Sequence, residues 1–304
     1  MNKTFRNLIS IILVVLFILL LSSCAKTPVY LKESYEDSLK EQSDTEFEEN
    51  AAAPDSFNAE NSHSAEPVKK LDHFNIGLYN GVGVWDLNVL ALQNFFTEND
   101  LSYTLFDEHD VTSIFLIDHF DLIWFPGGFA AEYRYYIPDL EPIIDFVNQG
   151  GYFVGSCAGG YFAADILSWL GEDSKDHDYP LNFFPGRAAG PLVYELNWGD
   201  QALLILNRNI PANADFETPL SAYYFDGPYF DAFHEADYLT LAYYETNNRP
   251  AVVAGKFGAG KYLLFGPHPE MGGINEQSGD YDPDGGNNAQ WSWLLAVLYW
   301  FGDW

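Results

Sequence analysis

Residues 74 to 170 alternate short apolar runs with segments of helical spacing, and this order constrains the fold more than any other feature. The apolar runs predict buried strands at residues 74–79, 102–106, 121–125 and 152–154. Apolar residues three and four apart predict helices at residues 86–96, 139–148 and 161–170. Because strands that alternate with helices build a parallel sheet covered on both faces, we predict an α/β fold with a mostly parallel sheet.

The second half of the chain is richer in strands. Its composition predicts them at residues 192–196, 203–206, 220–225, 238–244 and 251–257. Gly258, Ala259 and Gly260 predict a hairpin turn that leads into a last strand at residues 261–265. An apolar helix is expected at residues 291–300. The parallel sheet should therefore gain extra antiparallel strands.

The N-terminus has the pattern of an export signal. Lys3 and Arg6 precede an apolar run at residues 8–21, which is shorter than the roughly 20 residues of a transmembrane helix. The run ends at Cys24 in Leu-Ser-Ser-Cys, which resembles the lipobox of bacterial lipoproteins. We predict a signal peptide over residues 1–24 and a lipidated Cys24 that anchors the exported protein to the bacterial cell membrane. An uncleaved anchor is the alternative.

Residues 25–70 differ in composition from the rest of the chain. They are rich in Glu, Asp, Ser, Asn and Ala and poor in large apolar residues, so burial cannot offset the entropy lost on ordering. We predict a disordered acidic tether, followed by one folded domain at residues 71–304. The formal net charge of the chain is −30, which repels phosphate backbones, so we expect no nucleic acid among the partners.

The sequence around Cys157 predicts a nucleophile. Cys157 lies in Gly-Ser-Cys-Ala-Gly-Gly, between the strand predicted at residues 152–154 and the helix predicted at residues 161–170. Small neighbours permit the tight strand–turn–helix elbow that exposes a nucleophilic side chain, and a helix N-terminus favours a thiolate. A buried structural cysteine in a glycine-rich turn is the alternative.

Two other motifs also follow predicted strands, where the ligands of parallel sheets gather. His268 and Glu270 lie in Pro-His-Pro-Glu. Residues two apart in extended chain point the same way, so Glu270 can orient the imidazole while His268 acts as base toward the thiol. Pro-Gly-Gly at residues 126–128 lets backbone N–H groups approach a reacting carbonyl and, with the N–H of Ala158, form an oxyanion hole.

Together, Pro-Gly-Gly, Gly-x-Cys-x-Gly and His-Pro-Glu resemble the class I glutamine amidotransferases. A narrower resemblance is to the N-terminal domain of biotin–protein ligases and its free-standing bacterial relatives, carried by residues 79–84, 151–162, 182–186, 190–191 and 266–270. The resemblance implies a class I glutamine amidotransferase-like fold. It also implies a catalytic triad of Cys157, His268 and Glu270, and an oxyanion hole of Gly128 and Ala158.

The sequence departs from the usual pattern of these families in three features. Tyr161 stands four residues after the nucleophile, where glutamine amidotransferases usually carry Gln. We expect no synthetase domain to receive ammonia, and no biotin ligation, since the Gly-Arg-Gly-Arg ligase signature is absent. We expect the substrate pocket to involve Gly81, Gly83, Gly127 and Tyr161.

The remaining motifs predict no bound metal or cofactor. Asp280, Asp282 and Asp284 match the start of a Ca²⁺ loop, but the glutamate expected at loop position 12 is Trp291. An acidic turn is therefore favoured, with a partial Ca²⁺ site as the weaker alternative. The scattered histidines lack zinc spacing, and the glycines near residue 81 lack the dinucleotide fingerprint.

These features predict a cysteine-dependent hydrolase or amidotransferase-like enzyme that cleaves a C–N amide bond through a thioester. Its expected ligand is a small-molecule amide or carboxylate. One alternative is a catalytically silent module that binds a small ligand at the cell surface, and another is a structural surface protein. The intact Cys-His-Glu set favours the enzyme, whereas Tyr161 in place of Gln favours the binding module.

Overall fold

A computed structural model describes residues 71–174, 181–233, 238–272 and 290–304. The predicted signal peptide, Cys24, the predicted tether at residues 25–70 and the acidic residues Asp280, Asp282 and Asp284 lie outside the described residues. Within these ranges, no helix is both long and apolar enough to cross a membrane.

The strands of the described residues are, in chain order, β1 (Ile76–Tyr79), β2 (Tyr103–Phe106), β3 (Leu122–Phe125), β4 (Tyr152–Ser156), β5 (Ala164–Trp169), β6 (Glu172–Asp173), β7 (Phe184–Gly190), β8 (Gln201–Leu206), β9 (Leu220–Tyr223), β10 (Tyr229–Ala232), β11 (Tyr238–Tyr244), β12 (Pro250–Phe257) and β13 (Gly260–Phe265). The α-helices are α1 (Asp86–Glu98), α2 (Ser113–His119), α3 (Ala130–Tyr136), α4 (Glu141–Asn148), α5 (Ala158–Phe162) and α6 (Trp291–Asp303). Short 3-10 turns lie at Leu71–His73 and Pro211–Asn213.

The central sheet joins a parallel half to an antiparallel half. Its strand order is β2-β1-β3-β4-β13-β12-β11-β8-β9. Every pairing from β2 to β13 is parallel, and every pairing from β13 to β9 is antiparallel. This topology confirms an α/β fold with a parallel core and added antiparallel strands from the second half of the chain.

The inner parallel strands β1, β3 and β4 are buried on both faces, which explains why they are continuous apolar runs. Leu122 and Trp124 of β3 belong to one hydrophobic core, and Ile123 and Phe125 belong to another. Helices α1 and α6 contribute buried side chains to the first core, and α2 and α4 to the second. The carboxyl ends of the strands are thereby held in one rigid layer.

The prediction of a helix at residues 161–170 is wrong. Helix α5 ends at Phe162, and β5 follows it. β5 lies in a second sheet of order β10-β7-β5-β6, where it pairs in parallel with β7. A short apolar segment does not distinguish a helix from a buried strand by its periodicity, so pairing with a distant strand decided the outcome.

The prediction of a strand at residues 192–196 is also wrong. This segment forms a turn in which the Leu196 N–H donates to the Leu192 carbonyl at 2.9 Å. The predicted hairpin is confirmed, because β12 and β13 pair in antiparallel register across Gly258 and Ala259. The C-terminal helix is confirmed as well, and it reaches Asp303.

Candidate active site

Cys157 lies in the sharp turn between β4 and α5, with φ 49° and ψ −101°. Residues with a side chain rarely adopt a positive φ, and such strain concentrates at functional sites. A Cβ on Gly159 would collide with the Phe125 carbonyl, and one on Gly155 would collide with the backbone of Gly159. The Cys157 N–H donates to the Phe265 carbonyl at 2.8 Å, which ties this elbow to the end of β13.

Helix α5 is shorter than the helix that the sequence predicts after the nucleophile. It contains five residues, so its macrodipole is small. An anion at the elbow can instead be favoured by the first-turn N–H groups, because they have no acceptor within the helix.

His268 and Glu270 lie on the same side of the chain, as their spacing predicts. His268 Nδ1 is 2.7 Å from Glu270 Oε1, and both side chains are fully buried. The His268 N–H donates to the Tyr223 carbonyl at 2.8 Å, which fixes this segment against the end of β9. The His268–Glu270 segment is therefore held between the end of β13, which it follows, and the end of β9.

The imidazole of His268 carries a buried positive charge. Burial lowers its pKa, but the Glu270 carboxylate and the Cys157 thiol raise it to about 10. Nε2 is buried and has no hydrogen-bond partner among the described residues. The Cys157 thiol donates to the Phe225 carbonyl at 3.4 Å.

Asn88 belongs to the site, although none of the sequence motifs points to it. Its buried carboxamide donates from Nδ2 to Glu270 Oε1 at 2.6 Å and accepts the Gly127 N–H on Oδ1 at 2.6 Å. A signal was present in the sequence, because Asn88 shares the apolar face of α1 with Ala91 and Phe95. A polar side chain at such a position needs a buried partner.

Gly127 and Gly128 bring the backbone against the imidazole. A Cβ on Gly127 would meet His268 Cε1 at 2.6 Å, so only glycine allows this approach. Gly128 has φ +154°, and a Cβ there would collide with the Gly83 carbonyl. That carbonyl accepts the Phe129 N–H at 2.8 Å, so the loop of Gly83 and the Pro-Gly-Gly loop support each other.

The N–H groups of Gly128 and Ala158, predicted as oxyanion donors, form no hydrogen bond with any described residue. Gly159 N–H donates to the Pro126 carbonyl at 3.1 Å, so the start of α5 adjoins the Pro-Gly-Gly loop. The two predicted donors therefore lie on neighbouring segments. Gly81, also predicted near the substrate, packs against Tyr79 and supports the loop that carries Gly83.

Residues 225–228, here called the 225–228 loop, lie against Cys157. Each of its four carbonyls accepts a side-chain hydrogen bond, in chain order from Cys157 at 3.4 Å, Tyr161 at 3.0 Å, Tyr224 at 3.0 Å and Tyr244 at 2.9 Å. Tyr161 is therefore buried and engaged by this loop. Cys157 itself is only 6% exposed.

Aromatic rings surround the outer side of the imidazole. Trp85 and Phe225 lie with their ring centroids 6.2 Å and 5.3 Å from that of His268, and Trp198 contacts both of them. Nowhere in the described ranges do three His, Cys, Asp or Glu side chains group so that they could hold a metal ion.

Several solved structures are similar to this chain at low sequence identity. A putative GMP synthase component from Thermoplasma acidophilum is 13% identical, covers 75% of this chain and 92% of its own, and has a TM-score of 0.47. A glutamine amidotransferase from Thermotoga maritima is 13% identical, covers 66% of this chain and 77% of its own, and has a TM-score of 0.43. The fold class rests on the strand order described above.

Two curated relatives match about half of this chain. A biotin–protein ligase of Schizosaccharomyces pombe is 29% identical over 165 residues, which cover 49% of this chain and 25% of the ligase. An uncharacterized protein of Chlamydia muridarum is 26% identical over 168 residues, which cover 52% of this chain and 64% of that protein. This chain thus spans a quarter of the ligase and less than two thirds of the chlamydial protein.

A family model described as "Biotin-protein ligase, N terminal" matches residues 116–290. The match contains the elbow at Cys157, the His268–Glu270 pair and the 225–228 loop, and it covers more than half of the 304 residues. The chain therefore belongs to the biotin–protein ligase N-terminal family.

Proposed function

We propose that this domain is a cysteine hydrolase that cleaves a C–N amide bond through a thioester. The observation that carries the proposal is the buried His268–Glu270 pair, whose Nε2 has no hydrogen-bond partner in the described part of the chain and whose imidazole pKa is raised in part by Cys157, a residue held at a positive φ. A purely structural cysteine requires neither backbone strain nor a charged imidazole next to it. Both features cost free energy, and both are typical of nucleophiles that work with a general base.

In the proposed reaction, the Cys157 thiolate attacks the amide carbon, an S–C bond forms, and the carbonyl electrons move to oxygen. The C–N bond then breaks as the His268 imidazolium gives a proton to the departing amine. Water attacks the thioester, the imidazole takes a proton from that water, and the S–C bond breaks. The products are an amine and a carboxylic acid, and the thiolate–imidazolium pair is restored.

The remaining residues have supporting roles in this proposal. Glu270 orients the imidazole and stabilises its positive charge. The free N–H groups of Gly128 and Ala158 donate to the oxyanion that forms twice in the reaction. The contact between the Cys157 thiol and the Phe225 carbonyl must open for a substrate carbonyl to reach the sulfur.

Free glutamine is expected to be a poor substrate. Tyr161 replaces the glutamine found at this position in amidotransferases, and its hydroxyl already donates to the 225–228 loop. Its proton is therefore not available to a free amino acid, and unpaired polar groups in a closed site weaken binding strongly. The measurement is ammonia release from glutamine by the purified protein, and robust turnover would contradict the expectation.

A catalytically silent module that binds a small amide or carboxylate is the second candidate. The burial of the site favours it, since Cys157 is 6% exposed and the other two residues of the proposed triad are fully buried. The buried imidazolium would attract a carboxylate in such a module. A binding module, however, needs no reactive thiol.

Thiol reactivity separates the two candidates. The full-length protein in detergent is treated with iodoacetamide at pH 7, and modification of Cys157 is followed by peptide mass spectrometry. For the enzyme, we expect alkylation to slow about tenfold or more in His268→Ala, because the imidazolium partner of the thiolate is lost. His119→Ala, a change at an exposed histidine of α2, serves as the control. An unreactive Cys157, or a rate indifferent to His268, would favour the binding module.

A further inference from the structure

We propose that Asn88 is a positioning residue that sets the acid–base pair and the oxyanion-hole peptide with a single carboxamide. This inference rests on the proposed function and deepens it. No motif in the sequence contains Asn88, and the residue reaches the site from α1, far along the chain from the other members.

The orientation of the Asn88 carboxamide follows from the chemistry of its partners. The Gly127 N–H can only donate, so the atom that faces it at 2.6 Å is the amide oxygen. An ionised Glu270 can only accept, so the atom that faces Oε1 at 2.6 Å is the amide nitrogen. His268 Nδ1 donates to the same Oε1 at 2.7 Å, and Asn88 Nδ2 lies 3.3 Å from that nitrogen. Two donors therefore converge on one carboxylate oxygen.

Gly127 is held through both of the peptide groups that it joins. Its N–H, in the Pro126–Gly127 peptide, donates to Asn88 at 2.6 Å. Its carbonyl, in the Gly127–Gly128 peptide, accepts from the Trp85 N–H at 2.9 Å and the Tyr133 hydroxyl at 3.3 Å. In a trans peptide, the N–H of the following residue, here Gly128, points opposite to the Gly127 carbonyl. The Gly128 N–H is therefore turned away from Trp85 and Tyr133 and stays free, as an oxyanion donor requires.

Neither an aspartate nor an apolar side chain could fill this position without loss. The substitution Asn88→Asp would keep an acceptor for Gly127 but would set a second carboxylate against Glu270. An apolar residue would leave the Gly127 N–H without its acceptor and would remove one of the two donors to Glu270 Oε1. The amide is the group that provides one acceptor and one donor at this spacing.

The test compares Asn88→Ala and Asn88→Asp with Asn213→Ala in the full-length protein. Asn213 is a matched control, because it is also fully buried and fully bonded, with its carboxamide joined to Asn207, Leu241 and Trp293. Two rates at Cys157 are measured by mass spectrometry. Alkylation by iodoacetamide passes through no oxyanion, whereas acylation by p-nitrophenyl acetate does, so their ratio reports on the oxyanion hole.

We expect both Asn88 variants to slow alkylation, because each loses the donor to Glu270. The ratio of acylation to alkylation should fall by about tenfold or more in Asn88→Ala, but less in Asn88→Asp, which keeps an acceptor for the Gly127 N–H. Asn213→Ala should lower the melting temperature but change neither the alkylation rate nor the ratio of acylation to alkylation.

Two results would overturn the inference, and they differ from the result that would overturn the proposed function. If wild-type Cys157 reacts and depends on His268, but Asn88→Ala matches Asn213→Ala in both rates, Asn88 is only structural. If the ratio stays constant while alkylation slows, Asn88 does not position the oxyanion-hole peptide. If wild-type Cys157 does not react at all, the proposed function itself fails.

Discussion

Single residues in this site hold conformations and charges that would be unfavourable elsewhere. Cys157 has a positive φ, His268 carries a buried charge, and Asn88 is a fully buried amide. Each is compensated by a specific neighbour: glycines at the elbow, the Glu270 carboxylate, and the Gly127 N–H. The compensation explains how the domain can fold around groups that do not contribute to an apolar core.

Backbone strain at the elbow predicts a difference between two substitutions of Cys157. Both Cys157→Gly and Cys157→Ala remove the thiol, but only glycine adopts φ 49° without a steric penalty. We expect the glycine variant to be more stable than the alanine variant by about 1 kcal/mol, measured by urea denaturation. Equal stabilities would show that the turn is not strained.

The His268–Glu270 pair predicts a pH dependence of stability with a definite sign. The pKa of His268 is about 10 in the fold, above its ordinary value of 6.5, so the stabilisation is fully present below pH 6.5 and is lost as the pH rises toward 10. In a Cys157→Ala background, which removes one of the groups that raise this pKa, the free energy of unfolding should fall by up to ~1.4 kcal/mol per pH unit above pH 6.5, over a window that ends below pH 10. Glu270→Gln should flatten this slope, and an unchanged slope would contradict the charge assignment.

At the level of secondary-structure elements, the site is assembled where strand ends meet loops from both halves of the chain. β3, β4 and β13 deliver the Pro-Gly-Gly loop, the elbow and the His268 segment to one edge of the sheet. The 225–228 loop, which follows β9, closes over this edge through carbonyls that bind Cys157 and three tyrosines. We therefore expect access to Cys157 to depend on a segment outside the three motifs.

Removing one tyrosine hydroxyl should loosen the 225–228 loop. Tyr244 is fully buried and donates to the Pro228 carbonyl at 2.9 Å, so Tyr244→Phe leaves that carbonyl without its donor. We expect a loss of about 1–3 kcal/mol in the free energy of unfolding and faster alkylation of Cys157 at the same pH. Tyr243→Phe, at the next and less buried position of β11, is the matched control. Stability loss without faster alkylation would mean that the loop does not limit access.

For the whole molecule, the N-terminal pattern predicts a membrane-anchored protein. Cys24 at the end of a short apolar run is proposed as the lipidated residue, and residues 25–70 are proposed as its tether. Diacylation of one cysteine provides two chains, which suffice for stable anchoring at ~0.8 kcal/mol per buried CH₂. The folded domain would then lie outside the cell.

Replacing Cys24 tests this anchoring. Cys24→Ser should abolish labelling of the protein by a fatty-acid analogue in cells and release or mislocalise the domain, as followed by fractionation. Cys157→Ser is the control, because it removes the other cysteine and should leave labelling intact. Labelled, membrane-bound Cys24→Ser protein would exclude lipidation at this residue.

Local patterns were sufficient to predict the parallel strands, the hairpin at Gly258 and the three motifs of the site, because apolar runs and glycine turns are encoded within a few residues. The His268–Glu270 contact was predictable for the same reason, since residues two apart in extended chain share a side. The resemblance to a known family added the prediction that the three motifs form one site.

Long-range contacts decided the rest. β5 became a strand because it pairs with β7, whereas its own apolar spacing also fits a helix. Asn88 entered the site because α1 packs its apolar face beside Gly127 and Glu270, which lie 39 and 182 residues further along the chain. The cover over Cys157 arose in the same way, from carbonyls of the 225–228 loop. Backbone carbonyls are present in every residue, so no sequence pattern marks the ones that packing brings to a nucleophile.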